Sequence, residues 1–262
     1  MKGSTDIALW SLILGFAGML IPFYIFYKYK VKLIKDMFIS LLRMVLQLLL
    51  VAVYLEWIFQ LNNAWINTLW VIIMILVGAG TIIGRIGLNR RTFFIPLSVA
   101  GFISTFIIDA FFIGTVVRPD YLFDAMYFVP ITGMVLGNSM NHTIVGLSTF
   151  FGSLKQKREL YYFLLTNGGS RKQALLPFIN EALVKGLNPM LASMSVMGLI
   201  SLPGMMTGQI LGGASPAIAI KYQIMIMLAI FVGCTITLIL SILFSIRRMF
   251  DAYGNLKELI VK

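Results

Sequence analysis

The chain has 262 residues, of which 59% are hydrophobic and only 12% are charged, with a formal net charge of +11 and a mean hydropathy of +0.92. Soluble domains average about 45–50% apolar and about 25% charged residues, and a soluble fold could not bury this much apolar surface. Composition therefore excludes a soluble enzyme and a disordered chain. The apolar runs also do not alternate in the way that membrane barrel strands do, which leaves an all-α polytopic membrane protein.

Seven apolar stretches reach the roughly 20 residues that a transmembrane helix needs. They lie at about 6–27, 36–59, 64–84, 93–114, 124–151, 189–211 and 217–246. The connection at 152–188 is too charged to span a membrane. We therefore predict one transmembrane domain over residues 1–262 with about seven helices and one long extramembrane segment at about 152–188.

Basic residues are distributed very unequally between the two sets of loops. Seventeen lie in the connections and tail around 28–35, 85–91, 155–185 and 247–262, whereas the opposite side has only Lys2 and Arg118. Cytosolic loops carry the excess of lysine and arginine. The distribution predicts an outside N-terminus and a cytosolic C-terminus. It also assigns the positive charge to anionic lipid headgroups rather than to nucleic acid.

Motifs for catalysis and nucleotide binding are missing from the sequence. It has no G-x-x-x-x-G-K-[ST] loop for ATP, no H-E-x-x-H and no G-x-S-x-G,. Its single histidine is His142 and its single cysteine is Cys234, which lies in an apolar run and is interpreted as a small core residue. We therefore predict no enzymatic activity and no cofactor for this chain by itself.

Several ionisable side chains fall within the predicted spans, where charges are costly and face protein or water. Arg43 lies well inside span two with Gln47 one turn further on, and the pair indicates either a structural tie or part of a transport path. Asp109 and Lys221 lie at similar predicted depth, so an intramembrane ion pair between them is one interpretation. Glu56 and Lys221 can alternatively extend to the membrane interface.

Span five carries a polar stripe made of Asn138, Asn141 and His142. Their spacing places all three on one helical face. The stripe predicts either interhelical hydrogen bonds or a wall that faces a transported substrate.

Span six contains Pro203 and Gly204, followed by Met205, Met206 and Gln209. A proline in mid-span removes a backbone donor and kinks the helix, and such interruptions persist in lipid only where protein or water satisfies the backbone. The sequence therefore predicts a kinked, moving helix beside the transport path. Glycines at small-xxx-small spacing predict close helix packing. They are Gly80, Gly84, Gly133, Gly137, Gly204, Gly208 and Gly212.

Four methionines, Met194, Met197, Met205 and Met206, cluster in and near span six. Thioethers are soft ligands, so these residues are candidate metal ligands, although methionine is also an adaptable filler of apolar cores. No carboxylate or imidazole cluster indicates a firmer metal site.

The segment at 152–188 reads as two helical stretches separated by a turn at 166–170. Ser170 is a plausible N-cap for the second stretch, at 171–185, whose apolar residues share one broad face. An amphipathic helix of this kind can lie on the membrane surface or dock into the groove of a partner.

Three motifs resemble the FetB-type permease family, which includes bacterial iron-export ABC permeases and plant aluminium-tolerance membrane proteins. The motifs are Arg43-Met-Val-Leu-Gln47, Met134-Val-Leu-Gly-Asn138-Ser-Met-Asn141, and Gly198-Leu-Ile-Ser-Leu-Pro203-Gly-Met-Met-Thr-Gly-Gln209 with its continuation to Pro216. The resemblance extends from about residue 9 to residue 250.

The resemblance implies a dimeric permease of the inner membrane that works with a separate ATPase subunit, which would carry the ATP and magnesium. The transported solute would be iron or another metal ion. A sugar nucleotide or lipid substrate, or a stand-alone transporter or channel, is the alternative. The stretch from Asn167 to Ala174 is similar to the coupling stretch of ABC permeases. The residues expected to couple to the ATPase are Gly168, Gly169, Ser170, Arg171 and Lys172.

Overall fold

The computed structural model describes residues 8–119 and 121–250, and these ranges are almost entirely helical. The helices are α1 (Leu9–Ala17), α2 (Leu20–Lys28), α3 (Ile34–Leu61), α4 (Ala64–Ile86), α5 (Arg90–Ile108), α6 (Ala125–Gln156), α7 (Arg158–Thr166), α8 (Arg171–Val196), α9 (Gly204–Leu211) and α10 (Pro216–Met249). A π-helical segment, Asp109–Val117, continues α5. The predicted all-α fold class is confirmed.

Short polar residues set the starts of five of these helices. In each case the side chain of the N-cap residue accepts a hydrogen bond from a backbone N–H in the first turn, which satisfies a donor that has no partner within the helix. The N-cap residues are Asn63, Asn89, Asp124, Ser170 and Ser215.

Five helical stretches of the described residues are long and apolar enough to cross a membrane. They are Trp10–Lys28, Ile34–Leu61, Ala64–Ile86, Arg90–Val117 and Pro216–Met249. The count of seven is not confirmed, because α6 is long but carries a more polar sequence, and the predicted span at 189–211 is interrupted. The predicted orientation stays a prediction, and both chain ends lie outside the described residues.

The predicted boundary at 188–189, between a cytosolic segment and a span, does not coincide with the end of a helix and stays a prediction. Helix α8 runs without interruption through this point, with Pro177 and Pro189 inside it. At 1.5 Å per residue its 26 residues extend about 39 Å,. Its buried side chains contact the bundle along most of this length, since they include Ala174, Phe178, Ala182 and Met190. The charged stretch is therefore the first part of a helix of the bundle.

The tightly packed part of the bundle consists of α4, α5, α6, α8 and α10. Helix α10 packs along α5 and α6, while α8 lies against α6 and α10. The N-terminal helices are peripheral, because α2 buries no residue and α3 buries only Ile58. The bundle thus has a dense side and an open side.

Helices α6 and α8 cross at two glycines, Gly146 and Gly186, with Leu238 of α10 inserted beside them. A Cβ atom added to Gly186 would lie 2.7 Å from a Leu238 methyl and 3.2 Å from the Gly146 Cα. The Nδ1 of His142 donates to the Gly186 carbonyl oxygen at 2.7 Å and ties the same crossing. This contact requires glycine at both positions.

Most glycines at small-xxx-small spacing do not make the close helix contacts predicted for them. A Cβ atom added to Gly84, Gly137, Gly204 or Gly208 would meet no atom within 4 Å. Gly133 is the exception, because a Cβ there would lie 3.2 Å from the terminal methyl carbon of Met74 on α4. Further close approaches occur at Gly101, Gly146, Gly186 and Gly233. Spacing along one helix does not identify which face meets a neighbour, so it indicated only one of these contacts.

We expect Tyr121→Cys to react with a membrane-impermeant maleimide in intact cells, and Gln156→Cys to react only after permeabilisation. Tyr121 lies in the loop predicted to be outside, and Gln156 is exposed at the opposite end of α6. The parent chain is the control, because its only cysteine, Cys234, is fully buried. Labelling of both variants from one side would contradict the predicted orientation.

Gly186→Ala should lower the free energy of unfolding in a detergent titration by about 1–3 kcal/mol, the usual cost of overpacking. Gly152→Ala is the matched control, because a methyl group there meets no atom within 4 Å and alanine favours the helix. Shortening the inserted side chain by Leu238→Ala in the Gly186→Ala background should make the two effects non-additive. Simple addition of the two losses would show that the crossing is not a tight contact.

Candidate functional site

A large cavity of about 1790 Å³ lies between α3 and the helices α4, α5 and α6. Arg43 and Gln47 line it from α3. Glycines account for much of its width, since six helical positions on its walls carry no side chain. They are Gly78, Gly80, Gly84, Gly101, Gly133 and Gly137.

The remaining predicted pathway residues do not reach this cavity. Asn138, Asn141, Pro203, Gly204, Met205, Met206 and Gln209 are absent from its described lining. The structure therefore places Arg43 and Gln47 at this cavity, Asn138 and Asn141 elsewhere on α6, and the remaining residues on α9 or at its N-cap.

Two arginines at the cavity were missed as site residues. Arg85 at the end of α4 and Arg90 at the start of α5 line it together with Arg43. The sequence analysis assigned Arg85 and Arg90 only to the loop charges that orient the chain. Arg85 and Arg90 lie at the two ends of one short connection, which places them close together. The sequence does not show that this connection faces α3, so it could not group them with Arg43.

The polar stripe on α6 consists of residues with different partners. The Asn138 Nδ2 donates to the Met134 carbonyl oxygen of its own helix at 2.8 Å. His142 bonds to Gly186 of α8, whereas Asn141 is exposed. His142 thus makes an interhelical hydrogen bond, as one of the two interpretations of the stripe expected. Asn141 is the exposed member of the stripe.

The interruption after α8 has a different form from the predicted kink. Pro203 is not inside a helix; it is the N-cap residue of α9, and its carbonyl oxygen accepts from the Thr207 N–H at 3.0 Å. The chain turns at Gly198, where φ is +84°. The Leu199 and Ile200 side chains in this turn are 90% and 82% exposed. The helix therefore breaks completely between α8 and α9 rather than bending at the proline.

The methionines group differently from their order in the sequence. Met194 and Met205 pack against a buried cluster that contains Met190 and Cys234, at the contact of α6, α8, α9 and α10. Three further methionines from α6 and α10 join this cluster, which we call the thioether cluster. They are Met134, Met225 and Met227. Met197 and Met206 are not among its described members.

Other candidate metal ligands do not converge. No group of three or more His, Cys, Asp or Glu side chains occurs within residues 8–119 and 121–250. Gln209 on α9 has a buried Oε1 atom for which no hydrogen-bond partner is described, so it remains a candidate polar contact beside the break.

The predicted ion pair between Asp109 and Lys221 is not formed. The Thr132 Oγ1 lies 3.0 Å from both carboxylate oxygens of Asp109 and donates to them, while Lys221 is exposed. The prediction was wrong because equal depth in two spans does not place their side chains on facing sides. Asp109 instead faces α6, where Thr132 is completely buried.

The predicted coupling residues form a tight elbow between α7 and α8. Gly168 has a φ of +83°, and the Gly169 N–H donates to the Leu164 carbonyl oxygen at 3.0 Å. Ser170 and Gln173 then make reciprocal hydrogen bonds that cap the start of α8, which confirms the predicted N-cap. The elbow is therefore fixed by its backbone rather than by a partner.

Side chains at the elbow differ in their availability. The Arg171 guanidinium lies over the Phe250 ring, 4.2 Å from its centroid, so it also attaches α8 to the end of α10. Lys172 is exposed. These positions make Lys172 the more available of the two basic side chains for a partner.

A second contact stabilises the segment. Glu181 Oε1 and Oε2 each lie 3.0 Å from a lysine Nζ, those of Lys185 and Lys157. The two hydrogen bonds lower the pKa of Glu181 below its usual value. Because the folded-state pKa is lowered, this contribution is present at neutral pH and is lost as the pH falls through that pKa.

The chain matches the family described as "Uncharacterised protein family (UPF0014)" over residues 9–250. It is 30% identical to the UPF0014 membrane protein YjkA of Bacillus subtilis over 252 residues, covering 95% of this chain and 98% of that protein. It is 32% identical to "Protein ALUMINUM SENSITIVE 3" of Arabidopsis thaliana over 218 residues, covering 82% of this chain and 77% of the relative.

A third relative is named for a function. This is "Probable iron export permease protein FetB" of Escherichia coli, 28% identical over 253 residues that cover 94% of this chain and 93% of the relative. No solved structure shows significant similarity to the chain. Because the family match extends over nearly the whole sequence, this multi-helix membrane protein belongs to the UPF0014 family.

Proposed function

We propose that this chain is the permease subunit of an ABC-type exporter of the inner (plasma) membrane, driven by a separate ATPase subunit. The name of the Escherichia coli relative supports an export permease for iron. The missing ATP-binding loop supports a partner that holds ATP and magnesium. Each transporter would contain two copies of the permease.

The observation that carries this proposal is the elbow between α7 and α8. Its inner face packs into the bundle, because Tyr161 is 1% exposed and contacts the Phe250 ring at a centroid distance of 5.3 Å. Its outer face presents apolar side chains together with basic ones. The exposed apolar residues are Leu160, Phe163 and Leu176. This outer surface is both apolar and basic, and the packed inner face holds it in place. Such a surface suits docking to a soluble subunit better than insertion of residues 158–176 into lipid.

Helix α8 supplies the mechanical link in this mechanism. It begins at the elbow with Arg171 and ends at Val196, immediately before the break that leads to α9. A continuous helix that passes through the bundle can transmit movement at one end to the other, although Pro177 and Pro189 each remove one of its backbone hydrogen bonds,. Movement of a docked ATPase at the elbow would then change the arrangement of the break and the thioether cluster.

The thioether cluster is the part of the structure that suits a metal ion. Its methionines come from four different helices and pack, together with aliphatic and aromatic side chains, into one buried cluster. Thioether sulfur binds soft metal ions, with copper(I) favoured over harder ions. The cavity beside α3 suits a metal cation less well, because the three arginines that line it would repel a positive charge.

The arginine-lined cavity favours the alternative substrate class, which is an anionic non-metal solute such as a sugar nucleotide or a lipid. In either case an ABC permease should co-purify with an ATPase, whereas a stand-alone transporter or channel should not.

Lys172→Glu should reduce co-purification of the ATPase by about tenfold or more, since reversal of an interface charge costs several kcal/mol when it meets like charge. Arg91→Glu is the control, because it reverses a charge on another connection predicted to be cytosolic. Equal ATPase recovery from both variants, with equal transport, would reject the elbow as the coupling surface.

Gly169→Val is a poor test of coupling, although the position belongs to the predicted coupling stretch. An added Cβ atom would lie 2.6 Å from the Leu164 carbonyl oxygen. The substitution would therefore distort the elbow itself and lower stability along with coupling.

Replacing both Met194 and Met205 with leucine should lower metal stimulation of ATP hydrolysis by the reconstituted complex at least about tenfold, because the ligands are lost while volume and apolarity are nearly retained. Met206→Leu is the control on the same helix. A panel of iron, copper(I) and manganese ions would identify the stimulating metal. Stimulation that is unchanged in the double variant would show that the methionines only fill space.

A further inference from the structure

Three arginines from three different helices line one end of the cavity beside α3. Arg43 comes from α3, Arg85 from the last turn of α4 and Arg90 from the first residue of α5. The guanidinium of Arg90 extends over α4, where it lies 3.9 Å from the position of a Cβ added to Gly80. Asp36 is the only carboxylate in the described lining, so this end of the cavity has a net positive charge.

The protein leaves these guanidinium groups without an anionic partner. Across residues 8–119 and 121–250, the ion pairs found involve only Lys157, Lys185 and Glu181. The described contact of Arg90 is with the Phe94 ring, 5.7 Å from its centroid. All three arginine side chains are exposed and can reach a ligand in the cavity. Arginine at membrane depth is favoured by an accompanying opposite charge or hydrogen-bond acceptor, and a bound anion would supply one.

The rest of the cavity is apolar and long. Beyond Gln47 its α3 wall continues through Leu48 and Val51 to Trp57, and Trp70 and Ile73 face it from α4. From Arg43 to Trp57 the helix rises about 21 Å. This length is comparable with one leaflet including its headgroup region, which is about half of 40–45 Å.

The cavity is also positioned to exchange with lipid. Helix α3 buries only Ile58, near its C-terminal end, so most of the helix stands apart from the bundle. The arginines lie at the end of the bundle that the loop charges predict to be cytosolic. A ligand that combines an anionic head with long apolar chains could enter from the adjacent leaflet without crossing water.

We propose that this cavity binds an anionic phospholipid, with the lipid phosphate held by Arg43, Arg85 and Arg90 and the acyl chains lying between α3 and α4. Guanidinium groups match phosphate oxygens through paired hydrogen bonds, and the apolar wall accounts for a lipid rather than a small phosphate ion. This binding is independent of the solute that the protein exports.

The first test measures lipid retention by native mass spectrometry of the full chain, purified from nanodiscs containing equal phosphatidylglycerol and phosphatidylcholine. The parent protein should retain phosphatidylglycerol in preference to phosphatidylcholine. Arg43→Gln, Arg85→Gln and Arg90→Gln should each lower that retention by about tenfold, the scale of a lost charged hydrogen bond.

Arg91→Gln is the matched control, because Arg91 neighbours Arg90 but does not line this cavity. It should retain phosphatidylglycerol like the parent. Equal retention of the two lipids by the parent, or equal loss in the Arg91 control and the three variants, would overturn the proposal.

A second test distinguishes a lipid from a soluble anion. Gly137→Leu places a side chain in the cavity at a position with no atom within 4 Å of an added Cβ, so it should block the acyl chains and lower phosphatidylglycerol retention at least tenfold. Gly152→Leu, on the same helix but away from the cavity, is its control. Retention that Gly137→Leu leaves unchanged, or that soluble glycerol 3-phosphate abolishes at millimolar concentration, would assign the arginines to a free anion and reject the lipid.

Discussion

The rest of the structure depends on the crossing of α6 and α8 at Gly146 and Gly186. The two backbones approach so closely that a Cβ on Gly186 would lie 3.2 Å from the Gly146 Cα, and Leu238 of α10 closes the remaining space. Close backbone approach is how membrane helices gain packing energy where lipid provides no hydrophobic force between them. Because α8 connects the elbow to the break, this crossing holds the middle of the helix that joins them.

The bundle combines this dense contact with an open region on its other side. Ser104 of α5 donates to the Gly233 carbonyl oxygen and accepts from Thr237 of α10, so polar bonds reinforce the dense side. On the open side, Gly133 and Gly137 of α6 face the cavity and leave it unfilled. Glycine thus allows close contact on one face of α6 and leaves space on another.

Much of the local structure follows from the sequence alone. The all-α membrane class follows from composition, and the start of α8 follows from Ser170 and Gln173, since a capping box depends only on residues three apart. Resemblance in three motifs identified the family before any geometry was known. The positions of Arg43 and Gln47 on a cavity were also predictable, because a deep arginine in a span must face something polar.

Tertiary structure alone decided which of these residues meet. Arg85 and Arg90 join Arg43 only because α3 lies opposite the α4–α5 connection, and Met194 joins Met134 only because α8 lies along α6. In lipid both faces of a helix are apolar, so periodicity does not show which face is buried. For the same reason, glycine spacing did not identify most of the close helix contacts. The linear pattern does not encode which helices pair, and this pairing determines which residues lie at each of the two candidate sites.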